Sequence, residues 1–137
     1  MMRVGYARVS TLEQHLDVQL AKLTQAGCEP IFQEKRSGTD DTRPVLAECL
    51  RYVRRGEALV VTRLDRLARS LHHLCTIGRD LERRGIHLVV LDQAIDTSTP
   101  SGELHFHMLG AIAQFENRLR HERQSDSIGE ILGVKEW

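Results

Sequence analysis

Residues 58–70 read ALVVTRLDRLARS, from Ala58 to Ser70. The first four are a continuous apolar run, the pattern of a strand covered on both faces in a parallel sheet. Directly after it comes Leu64-Asp65-Arg66-Leu67-Ala68-Arg69-Ser70, one aspartate between leucines with two arginines beside it. A second stretch near the N-terminus, Tyr6-Ala7-Arg8-Val9-Ser10-Thr11, sets a serine two residues after an arginine. Arginine offers a fixed fork of donors that matches phosphate oxygens, and it stays charged at any working pH. A hydroxyl among guanidiniums suits attack on phosphorus better than attack on a carbonyl, so the implied substrate is a phosphodiester.

Outward from these two stretches, strands and helices alternate. Arg3 to Arg8 reads as a first strand. A helix beginning near Thr11 carries Leu12, Leu16, Leu20 and Leu23 at helical spacing, with Gln19 expected on a different face, and Gly27 ends it. Pro30 to Glu34 reads as a second strand, and the polar stretch 35–42 (KRSGTDDT) as a loop. Pro44 opens the next helix, with Leu46, Leu50 and Val53 on one side and Gly56 as its stop. A helix from Leu71 to Arg84 ends at Gly85, and Ile86 to Leu91 is another buried strand. This alternation predicts an α/β fold with a mostly parallel central sheet. Ser10 and the Asp65/Arg66/Arg69 motif then both fall at the C-terminal edge of that sheet, where sites of open α/β sheets gather.

The last element is different. Thr99 is a candidate N-cap with Pro100 at the first helical position, and a helix from 101 to about 125 would be ~37 Å long. Leu104, Met108, Ala111, Phe115 and Leu119 recur at spacings of four and three, close to a coiled-coil seam. Its polar half carries Arg118, Arg120 and Arg123.

The chain has 137 residues, 41% hydrophobic and 28% charged, the profile of one globular domain. Lys+Arg and Asp+Glu each number 19, so nucleic-acid binding by the whole surface is not indicated, although the arginines cluster. Cys28, Cys49 and Cys75 form no zinc spacing and point to a reducing, cytoplasmic setting. No secretory signal and no apolar run of membrane-spanning length is visible. There is no Walker-type glycine loop and no G-x-S-x-G elbow. His105 and His107 lie two apart on a helix and point to different sides, so they do not share a ligand set; no metal and no cofactor are expected.

YARVST, the SGTDDTRP loop, LDRLARS and IDTSTPSGELHFHMLGAIAQFE, in this order, resemble the serine recombinases, specifically the resolvase/DNA-invertase catalytic domain. The resemblance covers residues 2 to about 123. It implies a resolvase-like three-layer core over 1–98 and a long dimerisation helix over 99–125. It also implies a site-specific DNA recombinase that cuts and rejoins DNA through a 5′-phosphoserine. By this resemblance Ser10 is the nucleophile, Arg8, Arg66 and Arg69 hold the scissile phosphate, and Arg43 is a further active-site arginine. Asp65 relays a proton or orients an arginine, while Tyr6, Gln14 and Gln19 support the serine region. The long helix implies a homodimer through residues 101–120, a tetramer on synapsis, and contact of Arg118, Arg120, Glu122 and Arg123 with double-stranded DNA at the crossover site.

This chain departs from the family in Asn117 and Arg120, where arginine and an aliphatic residue are usual. The stretch 126–137 is too short for the helix-turn-helix domain that reads the target in the family. Hence the alternative expectation: a truncated, catalytically silent dimerisation module. Plainer readings also stand beside the sharp ones. Ser10 can cap the helix that follows, since Ser10 and Glu13 have capping-box spacing. Arg66 and Arg69 can form a solvated helix face, Asp65 a structural ion pair, and Gln14 and Gln19 surface positions.

Overall fold

The computed structural model describes residues 2–10, 16–36, 43–68, 70–112 and 114–115. In chain order they form β1 (Arg3–Ser10), α1 (Leu16–Gln25), β2 (Ile31–Arg36), α2 (Pro44–Tyr52), β3 (Ala58–Val61), α3 (Leu64–Leu67), α4 (Leu71–Arg84), β4 (His87–Val90) and β5 (Ile95–Asp96). Residues 100–112 and 114–115 are helical as well.

Local chemistry sets most of these boundaries. Pro44 begins α2. The Ser70 hydroxyl accepts from the His73 N–H at 3.1 Å and so caps α4. Gly85, at φ 73°, ends α4 in the left-handed region that a side chain disfavours. After α1, Gly27 sits at φ 85°. There the N–H groups of Gly27 and Cys28 return to the carbonyls of Thr24 and Leu23, closing the helix end. The Thr99 hydroxyl accepts from Gly102 N–H at 3.1 Å, the cap expected ahead of the last helix.

The sheet order is β2-β1-β3-β4-β5. The first four strands run parallel, and β5 pairs antiparallel with β4 through Val89↔Asp96 and Val90↔Ile95. Alternation along the strands divides the core in two. Val4, Tyr6, Leu59, Val61, Leu88 and Val90 face α2, α4 and the last helix, joining Leu46, Cys49, Leu74, Ile77 and Leu81. Ala7, Ala58, Val60 and Val89 face the other way, onto Leu16, Leu20 and Leu23 of α1. The result is three layers, helix on sheet on helices. The three cysteines are free and buried, and burial pushes the Cys49 thiol up to about 12. They act as small apolar side chains.

Several expectations change. β2 runs from Ile31 to Arg36, so the loop does not begin at Lys35. β1 continues through Ser10 instead of stopping at Arg8. α2 ends at Tyr52, where Val53 turns extended, so Gly56 serves a separate turn before β3. β5 carries no pattern of its own, because two residues are too few for one; its pairing with β4 makes it a strand. Gln19 is buried, so of its two readings the plainer one, a surface position, gives way. Among the described residues, no helix is long and apolar enough to cross a membrane.

The last helix is described only to residue 115, and the expected extension to 125 lies outside the described residues. Within it, Phe106 and Leu109 pack on the core. The expected stripe faces away from that core: Leu104 is 62% exposed, Met108 57% and Phe115 60%. Gly102 lies close against the sheet edge, since a Cβ there would meet the Asp96 carbonyl oxygen at 1.9 Å. Gly102→Ala must push the helix start off β5, and we expect it to lower unfolding free energy by about 1–3 kcal/mol in denaturant titrations. Unchanged stability would mean the helix does not seat there.

Candidate active site at the sheet edge

The chain passes from β1 out to β2 and then returns across β1 to β3, so the direction of winding reverses between β1 and β3. At such a switch point the C-terminal ends of the two strands leave a crevice. Ser10 closes β1 on one side of it, with its Cα in register with Arg36. The 64–67 motif follows β3 on the other side. Two stretches more than fifty residues apart in sequence are therefore placed at one edge.

The motif forms a single helical turn, α3, and side chains from three other elements hold it. Gln93, in the turn after β4, accepts the Leu64 N–H at 2.8 Å. Arg8 donates from Nη2 to the Asp65 carbonyl at 2.8 Å and from Nε to the Arg66 carbonyl at 3.3 Å. Arg43, at the N-cap of α2, donates from Nη1 to the Leu67 carbonyl at 2.6 Å. The terminal carbonyls of a helix have no partner within it, and cations are favourable at that end. Two guanidiniums meet both needs here.

Arg8 is itself fixed from behind. The Gln19 carboxamide accepts from the Arg8 N–H at 3.2 Å and donates to the Arg8 carbonyl at 3.0 Å, taking both backbone groups as a neighbouring strand would. This explains why Gln19 is buried. Below Arg8, the fully buried Tyr6 hydroxyl donates to the buried Glu34 carboxylate. The other Glu34 oxygen accepts the Val45 N–H at 3.2 Å, in the first turn of α2. The Tyr6 phenol is pushed far above its usual range by burial first, then by its hydrogen bond and proximity to Glu34; Arg43 and Arg8 pull the other way. Tyr6 is thereby held in its neutral form and donates to Glu34.

Arg8, Arg43, Asp65 and Arg66 thus come together, with Tyr6 and Gln19 supporting them. The Asp65 side chain is 60% exposed and the Arg66 side chain 17%. Asp65 lies 3.7 Å from Arg63 and 3.9 Å from Arg66, loose contacts of the kind that contribute little to stability. Arg8 spends two of its five donors on α3, so it is a positioning group for the motif as well as a candidate phosphate ligand. The side chain of Ser10, all of Gln14 and Arg69, and Arg118, Arg120, Glu122 and Arg123 lie outside the described residues. The described groups at this edge are guanidiniums, a carboxylate and amides, a set suited to an anion rather than to holding a metal.

Two members were not foreseen. Glu34 alternates in phase with Phe32 along β2, and that two-residue period was the available signal for an inward carboxylate. Gln93 had no local signal, because its partner lies 29 residues away.

Residues 3–130 match the family described as Resolvase, N terminal domain. A probable DNA-invertase (y4cG) of Sinorhizobium fredii is 52% identical over 120 residues, covering 88% of this chain and 39% of that protein. An integrase-like protein (y4lS) of the same species is 48% identical over 129 residues, covering 93% and 70% respectively. Serine recombinase gin of Escherichia phage Mu is 47% identical over 122 residues, covering 89% of this chain and 63% of its own. The N-terminal catalytic domain of TP901-1 integrase superposes with a TM-score of 0.74 at 27% identity, covering 87% of this chain and 98% of that domain. The chain therefore spans between 39% and 70% of the length of these three curated relatives.

Tyr6→Phe removes one donor from a buried carboxylate, and we expect a loss of about 1–3 kcal/mol at neutral pH. Because folding raises the Tyr6 pKa, the folded chain holds that proton more tightly than the unfolded chain. Its stabilisation is complete below pH ~10, the ordinary tyrosine value, and is lost as pH rises beyond it. Wild-type stability should therefore fall more steeply above pH ~10 than that of Tyr6→Phe. Parallel alkaline limbs in the two proteins would contradict the buried pair.

Proposed function

This chain belongs to the family of the resolvase N-terminal domain, and we propose that it is the catalytic domain of a site-specific DNA recombinase that works through a 5′-phosphoserine. The observation that carries this reading is the bridge from Arg8 on β1 to the Asp65 and Arg66 carbonyls of α3. It supports a site in which the strand ending at Ser10 and the arginine motif act on one phosphate.

In this reading the Ser10 hydroxyl attacks phosphorus, its proton leaves to solvent or a nearby base, and the 3′-oxygen departs and takes up a proton from solvent to become a free hydroxyl. The remaining donors of Arg8, with Arg43, Arg66 and Arg69, neutralise the charge that builds on the pentacoordinate phosphorus. Fixed guanidiniums supply this without reorganisation at the moment of reaction. After strand exchange the 3′-hydroxyl attacks the phosphoserine and the serine oxygen leaves. One phosphodiester is exchanged for another at each step, so bond energy is conserved and two near-balanced displacements replace one hydrolysis. Asp65, close to Arg63 and Arg66, orients these arginines.

The exposed stripe of the last helix supports a homodimer. Leaving Leu104, Met108 and Phe115 in water forgoes about 1.5–3 kcal/mol each relative to full burial. A second copy presenting the same stripe would cover them, and two dimers would pair at synapsis. Arg118, Arg120, Glu122 and Arg123, beyond the described part of this helix, would meet the DNA backbone at the crossover site. The setting is the cytoplasm, where that DNA is found.

The covalent step is testable with a supercoiled plasmid carrying a crossover site and labelled internally, and with the chain fused to a foreign DNA-binding domain. Label should remain on the protein after denaturation and vanish in Ser10→Ala. A wild-type fusion that leaves no adduct would instead favour the silent dimerisation module. Separately, Leu104→Lys combined with Met108→Lys should convert a sedimenting dimer to monomer with little change in melting temperature. Equal sedimentation of the two proteins would count against the stripe as the dimer seam.

A further inference from the structure

Away from the active site, α4 and the last helix meet at one close contact. A Cβ on Gly78 would lie 2.1 Å from Cζ of Phe106, so the ring rests directly on the α4 backbone. One turn further along α4, Glu82 faces Glu103 and His107, which share a face of the last helix at i, i+4 spacing. One ligand atom from each of these three residues lies within 4.8 Å of the others. His107 Nε2 is 3.5 Å from a Glu82 oxygen. The three stand around a cavity of about 150 Å³ whose lining includes Leu81, Ile86 and Phe106.

The charge of this group is only partly balanced, by the Glu82–His107 pair and by Arg79, which lines a cavity together with both. Arg83 and Arg84, next along α4, pair with Asp80 at 2.8 and 3.3 Å and not with Glu82. Among the described residues, the ion-pair partner of Glu82 is His107, and no lysine or arginine pairs with Glu103. Two carboxylates and an imidazole from two packed elements thus converge, with no lysine or arginine among the described residues ion-paired to either carboxylate.

We propose that Glu82, Glu103 and His107 bind a divalent transition-metal ion of the zinc type, which ties the last helix to α4. An imidazole joined to carboxylates selects such ions, whereas magnesium and calcium take oxygen ligands alone. Zinc holds nitrogen and oxygen at ~2.0–2.2 Å, which places neighbouring donors of a tetrahedron about 3.3 Å apart. The Glu82–His107 pair is already near that spacing, and exposed Glu103 closes the remainder by side-chain rotation. Water takes the fourth position. The ion cancels the carboxylate repulsion and fixes the direction in which the Leu104/Met108/Phe115 stripe points.

The test needs no DNA and is independent of the recombinase reading. Zinc is titrated calorimetrically into the chelator-treated full chain, with cobalt absorption as a second readout. We expect one ion per chain at micromolar affinity, a cobalt spectrum of four- or five-coordinate intensity, and a melting temperature raised by saturating zinc. Glu103→Gln and His107→Gln should each weaken binding at least about tenfold, while His105→Gln binds as wild type does. All these side chains are exposed, so the variants should fold, as circular dichroism would verify. No saturable binding at hundred-micromolar zinc would overturn the proposal. So would undiminished binding in both ligand variants, the mark of an adventitious ion only.

Discussion

A single helical turn cannot sustain itself: it fixes several backbone angles for the return of very few hydrogen bonds. α3 is such a turn, and it carries the Asp65/Arg66 motif. It persists because Gln93 holds its first N–H while Arg8 and Arg43 hold three of its carbonyls. The rest of the site depends on this clamp. If the carbonyls lost their guanidinium partners, the turn would keep only the Gln93 bond and the buried Leu67 side chain to hold it, and the arginine motif would be less firmly placed beside β1.

The clamp is in turn seated on buried polar groups, and that is where the energetic stakes are highest. Glu34 is a buried carboxylate satisfied by the Tyr6 hydroxyl and by the first turn of α2. A buried charge is tolerable only when it is fully hydrogen-bonded. The same carboxylate therefore links β1, which bears Arg8, to the helix start that bears Arg43. Gln19 does comparable work on the opposite side of β1 by occupying the Arg8 backbone. In this way both layers of helices contribute to placing one arginine.

Much of the architecture was legible because its signals are local. The apolar run Ala58–Val61 is a strand within those bounds, and α4 runs from Leu71 to Arg84 between its serine cap and its glycine stop. Pro44 and the Thr99-Pro100 pair mark helix starts as expected. The departures fall where a local signal is absent or ambiguous. Gln19 and Glu34 are polar residues that face inward because each finds a partner on another element; the strand period of β2 hints at this for Glu34, but no apolar pattern reveals it for Gln19. Gly56 signals a turn without saying which one, and the turn it makes is the one before β3, not the helix stop. β5 exists through its pairing with β4, and Gln93 through a bond across 29 residues.

What the sequence determined alone is the inventory and its local framing: a serine two residues after an arginine, an arginine motif behind a buried strand, helices capped where serine, threonine, proline and glycine demand it. These follow from interactions spanning four or five residues, which chain order dictates. Only the tertiary structure decided that the end of β1 lies beside the turn after β3, that two arginines grip that turn by its carbonyls, and that Glu82 faces Glu103 and His107. Each of those depends on strand order and helix packing, which arise when distant apolar faces are buried together, and no short-range pattern encodes the outcome.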